Sequence, residues 1–297
     1  MASKVLLVDA YATIYRAFFA IRSLTDAQGK PANAIYGFTK MLRKLLADHQ
    51  PSHCAVAFDL GAPQHRLAVL PSYKEQRPPT PPDLDDQLPA IRDVLSAMRV
   101  LVVEIEGEEA DDIIATLALR GAADGADVLI ASQDKDFMQI VGPHIRLLRP
   151  NGQETAVVDA SGVHARYGVE PHQMLDLLCL IGDAVDNIPG VPGVGEKTAA
   201  DLLRRYKTLD NLLAHSAEIE KPKLRGALVA SAERLRTNRQ LIALRSRLEL
   251  PVTINDLRVR TPDYSKLTEL FGRLGFKSLL AELEKEAQQT GDLFASL

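Results

Sequence analysis

The chain opens on Lys4 and the unbroken apolar run Val5-Leu6-Leu7-Val8, closed by Asp9. A run so short and so uniformly apolar predicts a buried strand. It is too brief for the hydrophobic core of a signal peptide. The pattern recurs at residues 54–59 (CAVAFD), again ending in an acid, at 100–104, and at Asp127–Ala131 (DVLIA), which is followed closely by Asp134 and Asp136. Between these runs, Asn33–His49 shows the spacing of an amphipathic helix. Residues 83–98 and 109–123 read as further helices, the last with acids in its first turn. Continuous apolar strands alternating with helices predict an α/β fold, with a mostly parallel central sheet covered on both faces. In such sheets ligands bind beyond the carboxyl ends of the strands. Three strands deliver acids to that edge: Asp9, Asp59 and the pair Asp134 and Asp136.

Two regions break the alternation. PSYKEQRPPTPP, residues 71–82, holds five prolines with Lys74 and Arg77, and reads as an exposed loop or arch. From about Gln173 the pattern becomes mainly helical, and residues 288–297 read as a polar, flexible tail. The expected division is an α/β core over 1–172 with an arch near 64–85, and a helical lobe over 173–287.

With 297 residues, 46% apolar and 25% charged, the chain can bury a full core as one large domain or a domain with a smaller lobe. No apolar run approaches the roughly 18 residues that span a bilayer, so a membrane partner is excluded and a cytoplasmic monomer expected. Cys54 and Cys179 lack metal-ligand spacing and read as buried free thiols. The net charge of −4 argues at first against a polyanionic partner. Nine acids, however, look committed to cations, and with those set aside the remainder carries +5. Residues 191–250 hold 12 Lys/Arg against 7 Asp/Glu. A basic surface beside an acidic site suits a protein that grips a polyanion.

The nine acids are Asp9, Asp59, Glu109, Asp111, Asp112, Asp134, Asp136, Asp183 and Asp186. Singly, several read as helix caps or first-turn acids. Asp9 and Asp59 end strands, where the pattern gives a charge no capping role. If one sheet edge gathers them, their repulsion calls for cations. Oxygen ligands of this kind suit Mg²⁺ or Mn²⁺, often as a pair. The absence of His or Cys at ligand spacing argues against zinc. A second signal is IPGVPGVGEKTA, residues 188–199. It follows a predicted helix bearing Asp183 and Asp186, and resembles a helix-hairpin-helix turn. Gly190, Gly193, Val194 and Gly195 would bring the backbone close to a phosphate, and Lys197 and Thr198 would lie at the helix start that receives it.

Together LLVDAYATIYRAFFA, AIYGFTKMLRKLL, AVAFD, PSYKEQRPPTP, EEADDIIATLA, DKDFMQIV and GDAVDNIPGVPGVGEKTA resemble the 5′ nuclease (flap endonuclease) family. The nearest likeness is to the 5′→3′ exonuclease domain at the start of bacterial DNA polymerase I, in order over about residues 4–280. The resemblance implies a PIN-like core, a two-metal site and hydrolysis of DNA at 5′ ends and flaps, with activity on RNA–DNA hybrids. It implies Asp9, Asp59, Glu109 and Asp111 around a first ion, and Asp134, Asp136 and Asp186 around a second. Asp112 and Asp183 would stand close by, some of the acids acting through water. Lys74 and Arg77 would contact the scissile phosphate, and Arg16 and Tyr73 would lie near the substrate strand. Mg²⁺ is the implied ion, Mn²⁺ its substitute, and K⁺ is a candidate at the hairpin. Two positions depart from the family pattern: Ala10 and Gln133 stand where Gly is common. A DNA-junction-binding module without catalysis and a PIN-like ribonuclease share parts of this pattern. The chain reads equally as a free-standing nuclease or as part of a longer polymerase.

Overall fold

The structure is a computed structural model that describes residues 3–151 and 154–290. β1 (Lys4–Asp9) runs directly into α1 (Ala10–Ala20). α2 (Asn33–His49), β2 (His53–Ala57), α3 (Gln64–Val69), α4 (Pro82–Asp85), α5 (Leu88–Ala97) and β3 (Leu101–Val103) follow. Next come α6 (Ala110–Ala123), β4 (Asp127–Ala131), the hairpin of β5 (Ile145–Asn151) and β6 (Glu154–Val158), and α7 (Ala160–Tyr167). The six strands form one sheet in the order β3-β2-β1-β4-β5-β6, with β6 alone antiparallel to its neighbour.

β1 is central, pairing in parallel with β2 (Val5 opposite His53) and with β4 (Val5 opposite Val128). Side chains alternate between faces along a strand, and the core divides accordingly. Val5, Leu7, Ala55, Ala57, Val128 and Ile130 join α6 on one face. Leu6, Val8, Cys54, Val56, Leu129 and Ala131 join α1, α2 and α5 on the other. Burial on both faces is why these strands read as unbroken apolar runs. From β1 the chain steps to β2 and β3 on one side, then crosses to β4 on the other. That makes the β1/β4 boundary a topological switch point, where clefts open at the carboxyl ends.

Several elements differ from the sequence reading. α1 begins on the residue after β1, and the Asp9 carboxylate caps it by accepting the Ala12 N–H at 3.1 Å. Asp9 therefore has the capping role that its place at a strand end seemed to exclude. The single helix expected over 83–98 is broken into α4 and α5. The break leaves Gln87, which is buried, free to accept the Ala34 N–H (2.9 Å) at the start of α2 and to donate to the Asp83 carbonyl (2.7 Å).

Beyond residue 173 come α8 (Met174–Ile181), a two-stranded ribbon of β7 (Gly182–Asp183) and β8 (Ile188–Pro189), α9 (Glu196–Tyr206), α10 (Leu209–Ala214) and the 21-residue α11 (Pro222–Ile242). These pack with α6 on the first face. α12 (Tyr264–Leu274) and α13 (Lys277–Thr290) do not. Leu267, Phe271, Phe276, Leu279 and Leu283 pack on the second face, where Tyr36 of α2 meets Phe276 edge-on at 5.2 Å. Residues 173–287 are thus not one lobe, because the last two helices cover the face of the sheet opposite α8 to α11. The tail expected from 288 overlaps the last turn of α13, and 291–297 lie outside the described residues. Cys54 and Cys179 are buried and unpaired.

Candidate metal centre

The switch point gathers acids from five stretches of chain. Asp9 ends β1, and its second oxygen accepts the Ser132 hydroxyl proton at 2.9 Å. The Ser132 oxygen in turn accepts the Asp134 N–H (3.1 Å), while Asp134 accepts the Asp136 N–H (2.8 Å). Asp59 lies two residues past β2 and accepts the Ala110 N–H at 2.7 Å, so it too caps a helix, across space. Glu109 is the residue before α6, and Asp111 and Asp112 occupy the first turn of that helix. Asp183 and Asp186 sit on the β7–β8 ribbon and its turn, not on a helix. The Asp183 carboxylate accepts the N–H groups of Val185 (2.8 Å) and Asp186 (3.3 Å). Tyr73, Glu109, Asp111, Asp136, Asp183 and Asp186 line one cleft. Asp9, Asp59 and Asp134 act on Asp111 from the sheet side.

Burial sets the electrostatics. It pushes the Asp9 carboxyl up to about 6, and the charges of Asp59 and Asp134 add to that. Burial also raises Asp59, and it raises Asp111 and Asp136 far more, Asp134 being the strongest like-charge neighbour of both. At Asp183 burial again works upward, but the Lys135 ammonium, 2.8 Å away, and the two N–H donors outweigh it and hold the carboxyl below its usual range. Burial and the adjoining Glu109 and Asp186 raise the Tyr73 phenol, which keeps it a neutral donor. Carboxylates desolvated this strongly hold their protons unless cations compensate the charge. The donor set is all oxygen, which fits hard divalent cations.

The proline-rich segment is the loop its composition predicts, exposed over residues 75–79, but its start is docked on the cleft. Tyr73 is buried, its hydroxyl donating to Asp186 at 3.2 Å. Lys74, held at φ +58°, pairs with Glu109, and its N–H donates to the Asp186 carbonyl (3.2 Å). Arg77 donates to the Asp186 carboxylate at 2.6 Å. The start of this loop is therefore docked on the β7–β8 turn. Arg16 lies elsewhere, in a cavity of about 590 Å³ between α1 and α2 that Lys40, Lys44, Ser132 and Gln133 also line. Burial lowers its pKa.

Asp112 is set apart from the other acids. It is fully buried, bound by Arg66 at 2.6 and 3.0 Å and by the Arg245 N–H at 2.8 Å. His65, Glu109 and Asp112 bring ligand atoms within 4.8 Å of one another, but the Arg66 guanidinium already bridges Glu109 and Asp112 there. Sequence reasoning named none of Arg66, Ser132 and Lys135. Lys135 had a signal, since it stands between the two acids of the DKD triplet. Arg66 had none.

The hairpin of residues 190–195 joins the ribbon to α9. A Cβ on Gly190 would lie 2.3 Å from the Ile181 backbone, so only glycine lets the two segments pass. Gly193 has φ +79°, and Gly195 sits in open space as the cap residue of α9. Val194 is buried beneath them, while Lys197 and Thr198 stand in the outward first turn.

Comparison with known proteins agrees with this architecture. The 5′-3′ exonuclease N-terminal resolvase-like domain matches residues 4–168, and the 5′-3′ exonuclease C-terminal SAM fold matches 169–265. DNA polymerase I of Bacillus caldotenax is 39% identical over 97% of this chain, which spans 33% of that protein. The 5′-3′ exonuclease of Aquifex aeolicus is 36% identical, over 95% of this chain and 96% of its own length. Among solved structures, the T5 D15 protein co-crystallised with metal ions shares the fold, with TM-score 0.69 and 20% identity over 96% of this chain and 98% of its own. So does the catalytic core of Rad2 in complex with DNA substrate, with TM-score 0.64 and 19% identity over 95% and 93%. A mostly parallel sheet with acids at its switch point, followed by a helical region bearing a glycine hairpin, places this chain in the 5′-3′ exonuclease family.

Proposed function

We propose that this chain hydrolyses DNA phosphodiester bonds at 5′ ends and at 5′ flaps of duplex junctions, with two divalent cations. The observation that carries the reading is the cleft in which buried acids from separate strands and turns converge with Tyr73 and Lys74. Asp9, Asp59, Glu109 and Asp111 would hold one ion, and Asp134, Asp136 and Asp186 the other, with Asp183 beside them. When bound, such a pair supplies charge to the attacking and leaving oxygens of an in-line displacement. Mg²⁺ is the expected ion and Mn²⁺ its substitute.

The remaining groups bind and orient. Lys74 brings a positive charge to the cleft that can offset charge building on the scissile phosphate, and Arg77 stands beside it. Tyr73 donates its proton to the acids and holds the base of the arch over them. Arg16, with Lys40 and Lys44, lines the cavity beside α1 and α2 and would face the substrate strand. Gly193, Gly195, Lys197 and Thr198 offer backbone N–H groups and one cation to the duplex backbone, independent of sequence, with K⁺ a candidate at that turn. The protein would act as a monomer in the cytoplasm, in primer removal and repair.

The test is incubation of the purified chain with end-labelled 5′-flap DNA, in Mg²⁺ and in EDTA, with the products sized. Short products released at the junction in Mg²⁺ alone are expected. Equal cleavage in EDTA would remove the two-metal reading.

A further inference from the structure

Arg66 lies in the short helix α3, in a stretch without motif, and is 3% exposed. Its guanidinium is fully committed. Nε donates to the Leu241 carbonyl at 2.8 Å, Nη1 to Glu109 and to Asp112 Oδ2 (2.6 Å), and Nη2 to Asp112 Oδ1 (3.0 Å). Asp112 spends its own oxygens on Arg66 and on the Arg245 N–H (2.8 Å). An unpaired charge in such an interior costs several kcal/mol, so each member of the pair requires the other. Glu109 offers one oxygen to Arg66 and the other to Lys74 in the cleft. Leu241 lies in the last turn of α11, whose Asn238 donates to the Pro189 carbonyl (2.9 Å) beside the glycine hairpin.

We propose that Arg66 is a positioning residue for the metal centre: clamped by Asp112 and the Leu241 carbonyl, it fixes the Glu109 carboxylate, and Asp112 acts through Arg66 and not as a ligand. This rests on the proposed reading in which Glu109 holds an ion. Partners that orient a ligand from behind affect metal affinity by about ten- to a hundredfold. The planar fork matters as much as the charge, because only a guanidinium bridges two carboxylates and a carbonyl at once. Asp111 and Asp112 are neighbours in sequence, yet helical rotation turns one to the cleft and the other to this clamp.

Mn²⁺ binding to the full chain, counted from the free-ion EPR signal, tests this beside single-turnover cleavage of 5′-flap DNA at saturating Mn²⁺. Arg66→Met keeps the bulk and removes the fork. It is expected to bind the wild-type number of ions about ten- to a hundredfold more weakly, and to cleave more slowly. Arg66→Lys should recover only part of that loss. Asp112→Asn should keep every bound ion, and adding it to Arg66→Met should weaken binding no further. Thermal melts report folding, and if Arg66→Met does not fold, Arg66→Lys and Asp112→Asn carry the comparison. Wild-type affinity and rate in folded Arg66 variants would overturn the proposal. So would loss of an ion in Asp112→Asn, or additive losses in the double variant. Asp136→Asn separates the underlying reading. If it binds and cleaves like wild type while the Arg66 variants are impaired, the two-metal assignment falls and the Arg66 result stands on its own.

Discussion

The acid cleft and the glycine hairpin would meet the same chemical partner, a phosphate backbone, by opposite means. In the cleft the acids are largely desolvated and most are tied to a neighbour, from Ser132 on Asp9 to Arg77 on Asp186. At the hairpin Gly193 and Gly195 have nothing within 4 Å of where a Cβ would stand, and Lys197 is exposed. The cleft concentrates charge at a folding cost and needs cations to relieve it. The hairpin offers backbone N–H groups that cost nothing to expose. Changes in the cleft should therefore act on rate and on metal-linked stability. Changes at the hairpin should act on affinity alone.

The largest expected effect is at Asp136 or Asp186. Replacing either by Ala should lower single-turnover cleavage on the order of a thousandfold, with flap-DNA affinity changed far less. An equal fall in both would erase the distinction between the regions. Lys74→Ala comes next, with a loss on the order of a hundredfold in rate. An unchanged single-turnover rate would make the arch cation a structural partner of Glu109 only.

Linkage sharpens the comparison. The Asp9 carboxyl is raised to about 6 in the fold, so between about pH 4 and 6 the folded protein holds a proton that the unfolded chain has released. Its contribution is full below that window and is lost as pH rises through it, about 3 kcal/mol for a two-unit shift. Metal-free protein at pH 7.5 should thus melt several degrees lower than its Asp9→Asn variant, and Mg²⁺ should narrow the gap. If calorimetry shows Asp9→Asn melting below wild type without metal, the acid cluster is not strained.

The smallest effect is at the hairpin. Gly195→Val should melt like wild type, since the fold leaves room for the side chain, yet bind flap DNA with a long duplex arm several-fold more weakly. Lys197→Ala should flatten the salt dependence of binding by about one phosphate contact. Wild-type affinity in Gly195→Val would remove the hairpin from the DNA interface.

What was legible in the sequence follows from burial. β1, β2 and β4 are covered on both faces, so their runs announced themselves, and the acids at their ends pointed to the sheet edge. α1 escaped because no turn residue separates Asp9 from Ala10. The capping roles of Asp9 and Asp59 were hidden for the same reason, and because the Asp59 cap bridges 51 positions. Arg66 acquires meaning only from distant partners, Glu109, Asp112 and, 175 residues away, Leu241. Tyr73 looked exposed because the prolines around it signal a loop, and composition does not reveal that a loop can be docked.

The seamless joint between β1 and α1 also bears on how such a chain can vary in length. Asp9 is at once the last rung of a strand hydrogen-bonded on both sides and the cap of the next helix. One residue inserted there would rotate the helix by about 100° against the sheet and carry the carboxylate off its face. Insertions should instead be tolerated in segments such as 22–31, where the backbone is largely exposed and ties mainly to itself. A library of single-residue insertions scored for folding should show a gap at residues 8–12 and survivors near Gly29.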